Sequence, residues 1–276
     1  VLIGSAVAYV ELDGSMHAGI FALRSVLALI VALALQVGVN YANDYSDGVR
    51  GTDEVRVGPV RLVGQRLASP TAVRNAAFIA FAVAAVCGLG LVILTAQWWL
   101  IAVGIAAIVA AWFYTGGEHP YGYAGLGELF VFIFFGLVAV MGTTYVQTLT
   151  LPILALLGGM ASGLLSVAIL VVNNLRDIPT DRLSGKRTLA VRLGDPATRN
   201  LYTAAVLLPF AIAVVMAATG HLGALLGLLA LPAASRPIRV VRSRSSGREL
   251  IPALAGTGRL LLLYAVLLSA GLVIFG

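Results

Sequence analysis

Apolar residues run along this chain in long blocks rather than in alternation. Nine blocks stand near residues 1–12, 18–43, 71–95, 97–115, 124–147, 152–174, 199–219, 221–240 and 257–276. Most approach or exceed the roughly 20 residues that a helix needs to cross the bilayer hydrocarbon. A membrane barrel would show dyad alternation in segments of about ten residues. The runs here are unbroken and rich in Ala, Leu and Gly. The pattern predicts an all-α integral membrane protein of about nine transmembrane helices, folded as one domain over 1–276. The first block starts at Val1 without Met and reads as a helix truncated on its N-terminal side. The stretches near 11–17, 95–98, 147–152 and 219–222 are short connections. Those near 44–70, 175–198 and 236–256 are longer and charged.

Composition agrees with a bilayer as solvent. Hydrophobic residues make up 60% of the chain and charged residues 11%, against about a quarter charged in soluble domains; the mean hydropathy is +0.98. All 18 basic residues except Arg24 fall in or beside the three long loops. Nine helices put those loops on one side, and the positive-inside rule makes that side cytoplasmic. The net charge of +6 mostly reflects this bias, so nucleic acid is not an expected partner. The basic run Arg236 to Arg248 suits anionic lipid. The one cysteine, Cys87, lies in an apolar run and reads as a small buried hydrophobe.

Acid is scarce. Of 12 carboxylates, half stand in two clusters, each following an apolar block: Asp44, Asp47, Asp53 and Glu54, then Asp177 and Asp181. Gln36, Asn40, Asn43, Asp44 and Asp47 are spaced to line one helix face. Gly48 can end that helix and Gly51 can turn the next loop, which carries Asp53. In the second cluster Asn173 and Asp177 are one turn apart, beside Asn174. Pro179 disfavours helical geometry at Ile178. Regular helix is therefore expected to end or kink near Asp177, with Asp181 on the turn beyond. Arg176, Arg182, Lys186 and Arg187 surround these acids. The clusters lie 130 residues apart, a faint echo of two four-helix units plus a ninth helix.

Carboxylates and amides beside arginines and a lysine suit magnesium and phosphate. Magnesium takes oxygen ligands, commonly one or two carboxylates plus substrate phosphates and water. Two such clusters could hold metal ions bridging a diphosphate, with basic residues on its outer oxygens. That arrangement promotes departure of diphosphate from an allylic carbon. The plainer alternative is a set of solvated loop acids and snorkelling arginines. For Asp44 and Asp47, on a membrane helix, that alternative is weaker, because burying charge in the bilayer is costly.

The stretches NDYSDGVRGTD with RVGPVR, and NNLRDIPTD with GKRTLAVRLG, resemble UbiA-type intramembrane prenyltransferases. YTGGEHPYGYAGLGE, at 114–128, resembles the branch acting on 1,4-dihydroxy-2-naphthoate in menaquinone synthesis, as do Gly58-Pro59-Val60-Arg61 and Gly125-Leu126-Gly127-Glu128. Glu118-His119 departs from the neutral run expected there. The resemblance spans essentially the whole chain. It implies helices ringing a central cavity, capped by cytoplasmic loops, in a bacterial cytoplasmic membrane. It implies Mg2+ as cofactor, with polyprenyl diphosphate, an aromatic acceptor and membrane lipid as partners. Carried over, Asp44, Asp47, Asp177 and Asp181 are catalytic and, with Asp53, metal ligands. Asn43, Arg50, Asn174, Arg176 and Lys186 bind the diphosphate.

Arg61, Tyr114, His119, Tyr121 and Glu128 are candidates for acceptor contact or cation stabilisation. Tyr114, Tyr121 and Tyr123 could be an interfacial belt or a π-wall for a cation. Glu128 could serve a helix dipole or act as a base. His119 could be a solvated loop residue or take a phenolic proton. Arg24 could snorkel or pair with Glu11 or Asp13. Trp98, Trp99 and Trp112 read as anchors or packing. Another acceptor (4-hydroxybenzoate, homogentisate, a haem precursor or a sugar phosphate) keeps the same chemistry. A cation-coupled transporter is the rival of another class, although transporter sites lie nearer the midplane.

Overall fold

The computed structural model describes residues 1–51 and 60–276. Asp53, Glu54 and Gly58-Pro59 lie outside the described residues. The chain is helical, with no strand among those residues. In order come α1 (Leu2–Leu12), α2 (Ala18–Val49), α3 (Pro70–Thr95), α4 (Leu100–Phe113), α5 (Gly127–Thr148), α6 (Ile153–Leu183), the short α7 (Leu189–Leu193), α8 (Asp195–Ala218), α9 (Leu222–Arg242) and α10 (Gly247–Phe275). Helices suit such runs because they satisfy every backbone group within the segment. Seven are long and apolar enough to cross a membrane: α2, α3, α5, α6, α8, α9 and α10. The expected first and fourth spans, α1 and α4, are apolar but shorter. The chain is a multi-pass membrane protein.

Two helices outrun the bilayer furthest. α2 has 32 residues and α6 has 31. At 1.5 Å per residue each rises about 46–48 Å, against about 30 Å of hydrocarbon. Their surplus carries the acidic clusters. α2 continues past the expected boundary at residue 43, and Gly48 does not end it. Gly48 instead admits a neighbour: a Cβ there would stand 2.4 Å from the Val63 side chain. α6 runs through Pro179, so the expected break near Asp177 does not occur and Asp181 stands on the helix. Proline removes one backbone donor, and the Thr180 hydroxyl supplies a local bond, donating to the Asp177 carbonyl at 2.9 Å. α6 ends at a left-handed glycine, Gly185 with φ 75°. Across it the Lys186 N–H donates to the Asp181 carbonyl at 2.8 Å, as in a Schellman cap.

The chain divides into two compact units. One comprises Val1–Ser25, Glu128–Arg176 and Leu193–Gly276. Here α5 contains a π-helical stretch, Phe132–Val138, and Gly136 lies flush on α6: a Cβ there would be 2.5 Å from the Gly163 Cα. The buried Tyr202 and Tyr264 hydroxyls bond Thr257 and the Pro209 carbonyl at 2.6 and 2.7 Å. Arg24 donates to the Val146 and Gln147 carbonyls, at 3.0 and 3.4 Å, where α5 ends.

The other unit comprises Val26–Gly127 and Asp177–Arg192. Its core packs Ala42, Ala77 and Phe81 against Leu35, Tyr41, Ile108, Ala111 and Trp112. Trp112 stacks on Phe78 with centroids 4.8 Å apart, so it serves packing. This unit holds the described acids of both clusters.

Candidate active site

The four described cluster acids are not solvated. Asp44, Asp47, Asp177 and Asp181 are 5%, 4%, 6% and 9% exposed. Buried carboxylates are expensive unless hydrogen bonds or cations compensate them. Asp44 receives backbone donors: Oδ2 accepts the Leu62 N–H at 2.8 Å and Oδ1 the Val63 N–H at 3.0 Å. It thereby fastens the turn after residue 60 to α2. One helical turn on, Asp47 Oδ1 accepts Lys186 Nζ at 3.0 Å and also the Tyr123 hydroxyl. Arg61 lies within electrostatic reach of Asp47. Asn43 Oδ1 accepts the Thr115 hydroxyl at 2.9 Å. The polar stripe does not continue as one surface: Gln36 and Asn40 are exposed, and the Asn40 amide returns to the Gln36 carbonyl at 2.7 Å.

Lys186 connects the clusters. The glycine cap delivers it directly after α6, and it too is buried, 9% exposed. Burial alone pulls its pKa down, but Asp47, then Tyr123 and Asp181, more than offset that, so the ammonium sits above the ordinary lysine value. A single cation thus feels one carboxylate from α2 and one from α6.

The 114–125 loop supplies the third wall. The Arg50 guanidinium donates to the Thr115 and Gly117 carbonyls. Its Cζ lies 5.4 Å from the Tyr123 ring centroid, and Lys186 Nζ lies 4.5 Å from it. Burial, then Asp47, raises the Tyr123 pKa, so the phenol stays protonated as a donor. Tyr121 is occupied differently: its hydroxyl donates to the Ala110 carbonyl at 2.7 Å, and burial raises its pKa. Tyr114 packs edge-on against Tyr121 with centroids 5.5 Å apart. Glu118 and His119 are exposed.

The remaining expected residues belong to the first unit. Glu128 Oε1 accepts the Asn174 side-chain amide at 3.0 Å, and both residues are buried. Glu128 Oε2 is buried with no hydrogen-bond partner among the described residues. Arg176 is buried as well.

The donor set fits magnesium. It offers hard carboxylate oxygens, protected from bulk water and spaced along two helix ends. Among the described residues no three acidic, histidine or cysteine groups form a ready-made cage. Magnesium seldom uses one; water and substrate phosphates complete its shell.

Sequence reasoning weighed Tyr123 only as belt or wall, and its hydroxyl bond to Asp47 went unforeseen. Thr115 was missed outright, since one threonine after a tyrosine carries no signal. The Gly185-Lys186 step was the legible clue to the lysine's placement.

Buried acids and a buried lysine thus gather at the ends of two long helices of a multi-pass helical protein. The chain belongs to the UbiA prenyltransferase family, whose model matches residues 8–251. It is 53% identical over 262 residues to the 1,4-dihydroxy-2-naphthoate octaprenyltransferase of Mycobacterium tuberculosis, covering 95% of this chain and 88% of that one. Identity to the Escherichia coli protein of the same name is 39%, covering 83% and 76%. A solved UbiA homologue from Archaeoglobus fulgidus, bound to GPP and Mg2+, shares the fold with a TM-score of 0.64 at 13% identity, covering 99% of this chain and 94% of that one.

Proposed function

We propose that this chain transfers a polyprenyl group from polyprenyl diphosphate to 1,4-dihydroxy-2-naphthoate, with loss of carbon dioxide, giving demethylmenaquinol for menaquinone synthesis. The observation that carries the reading is the buried Lys186, which bonds Asp47 of the first motif at 3.0 Å and stands directly after the helix that carries the second. Family membership and the name shared by the bacterial relatives support the acceptor. The whole chain works as one prenyltransferase domain, and its active site opens to the cytoplasm, where diphosphate and naphthoate heads arrive.

Asp47, Asp177 and Asp181 would hold magnesium, with Asp44 bracing the loop beside them and Asp53, outside the described residues, a further candidate ligand. Bound magnesium would supply Lewis-acid stabilisation of the departing diphosphate. Lys186, Arg50 and Asn43 bind the outer phosphate oxygens, and Asn174 and Arg176 contribute as the family motif implies. The allylic C–O bond breaks with its electron pair leaving on diphosphate. The ring carbon bearing the carboxylate attacks the allylic carbon. The ring–carboxylate bond then returns its electrons to the ring as carbon dioxide departs. Glu128, whose Oε2 has no hydrogen-bond partner among the described residues, is a candidate for contact with the acceptor. Arg61, Tyr114, Tyr121 and His119 are the further candidates beside the acceptor or the allylic cation.

The test is an assay in lipid with labelled polyprenyl diphosphate, Mg2+ and a panel of acceptors. Prenylated naphthoquinol with release of carboxyl carbon is expected. Preference for 4-hydroxybenzoate, homogentisate, a haem precursor or a sugar phosphate would reject the acceptor. Ion uptake without product would reject the enzyme.

A further inference from the structure

We propose that Tyr123 is a positioning residue: its ring holds Lys186 and Arg50 together as a cation pair for the diphosphate, while its hydroxyl fixes the Asp47 carboxylate. The inference rests on the diphosphate-transfer reading and assigns a role to a residue outside the acidic motifs.

Three observations converge on this one side chain. The first is electrostatic. Lys186 Nζ lies 4.5 Å and Arg50 Cζ 5.4 Å from the ring centroid. Both distances fall inside the roughly 6 Å range in which a ring quadrupole attracts a cation. Two cations gathered for one anionic ligand repel each other before it arrives. A shared aromatic ring offsets part of that repulsion, beside the carboxylate of Asp47 that already pairs with Lys186.

The second is the hydroxyl. It donates to Asp47 Oδ1, the same oxygen that accepts Lys186 Nζ at 3.0 Å. Two donors on one oxygen set the rotation of the carboxylate.

The third is the backbone. The Tyr123 carbonyl accepts the Arg187 N–H at 2.9 Å, tying the loop to the residue after Lys186. Two residues on, Gly125 takes φ 80°, and a Cβ there would lie 3.0 Å from Arg192 Nε and 3.1 Å from the Arg187 carbonyl oxygen. Arg192 Nε in turn donates to that carbonyl at 3.1 Å. The ring is therefore anchored by its own main chain and not only by the charges it meets.

A packing role and a positioning role separate when the ring's shape is kept and its charge distribution is changed. The full-length chain in lipid nanodiscs is prepared with Tyr123→Phe and with mono-, di- and trifluorinated phenylalanine at that position. Binding of inorganic pyrophosphate with Mg2+ is measured by calorimetry, beside the melting temperature without ligand. Each fluorine weakens the negative ring face at nearly constant volume. The expected result is a stepwise fall in pyrophosphate affinity, reaching about tenfold across the series, with melting temperatures nearly unchanged. Tyr123→Phe alone should shift the Mg2+ concentration for half-saturation and leave pyrophosphate affinity within about threefold. A flat fluorine series in a protein whose wild type binds pyrophosphate overturns this inference and leaves the proposed function standing. A wild-type chain with no affinity for pyrophosphate overturns both.

Discussion

The carboxyl-terminal ends of α2 and α6 carry similar acids and use them differently. On α2, Asp44 is committed to the protein, with both oxygens taking backbone N–H groups of Leu62 and Val63. Asp47, one turn on, meets a cation and a phenol. On α6, the helix holds Asp177 and Asp181 on consecutive turns despite Pro179, and then closes on Gly185 to present Lys186. One end offers a carboxylate with a loop buttress, and the other offers carboxylates and the lysine. Acid alone does not distinguish a structural aspartate from a reactive one; its donors do. A carboxylate satisfied by rigid backbone N–H groups is a fastener. One satisfied by a side-chain ammonium could take a metal ion in its place, and the ammonium could then bind phosphate.

Removing a reactive acid should have the largest effect. Asp47→Asn or Asp177→Asn is expected to cut the prenyl-transfer rate by roughly 10²–10³, the scale of losing a preorganised electrostatic group, and full activity in either variant would break the comparison. Lys186→Met comes next. It strands buried Asp47, so destabilisation by about 3 kcal/mol is expected, read as a lower melting temperature, and Lys186→Arg should recover part of it. The pH dependence has a definite sign. The Lys186 pKa is raised in the folded chain, so its contribution is complete below the ordinary lysine value and is lost as pH rises through the folded value. Wild-type melting should therefore hold steady to about pH 9 and fall above about pH 10.5, while Lys186→Met should lack that alkaline component. Asp44→Ala frees two backbone donors at a cost of about 1–3 kcal/mol. Faster proteolysis after residue 60, with pyrophosphate affinity less affected than in Asp47→Asn, would sharpen the distinction between fastener and reactive acid. The smallest effect belongs to Gly185→Ala, about 1 kcal/mol for forcing a left-handed residue, seen as a modest fall in melting temperature.

Much of this was legible in the sequence, and the exceptions have physical reasons. Long unbroken apolar runs announce membrane helices because the bilayer leaves the backbone no other choice. Scarce acid beside base pointed to the candidate site, and the spacing of Asp44 and Asp47 put both on a helix, where they stand. The end of α6 misled, because Pro179 predicts an end near Asp177 and the helix runs on to Leu183. The work of Asp44 was hidden, since the N–H groups of Leu62 and Val63 have no side-chain signature. Glu128 with Asn174, 46 positions apart, joins through the packing of α5 on α6, which no local pattern encodes. Gly48 looked like a helix stop and serves as a place for Val63, because a sequence shows that a glycine is small without showing what approaches it.

The central claim is that the two helix ends act as one clamp. A double-mutant cycle on prenyl-transfer rate tests it most directly, using Asp47→Asn, Asp177→Asn and the double variant in the same lipid. Groups that act as a unit are grossly non-additive. The clamp predicts that the double variant is no slower than about threefold below the worse single variant. Losses that multiply, so that each motif contributes independently, would contradict it.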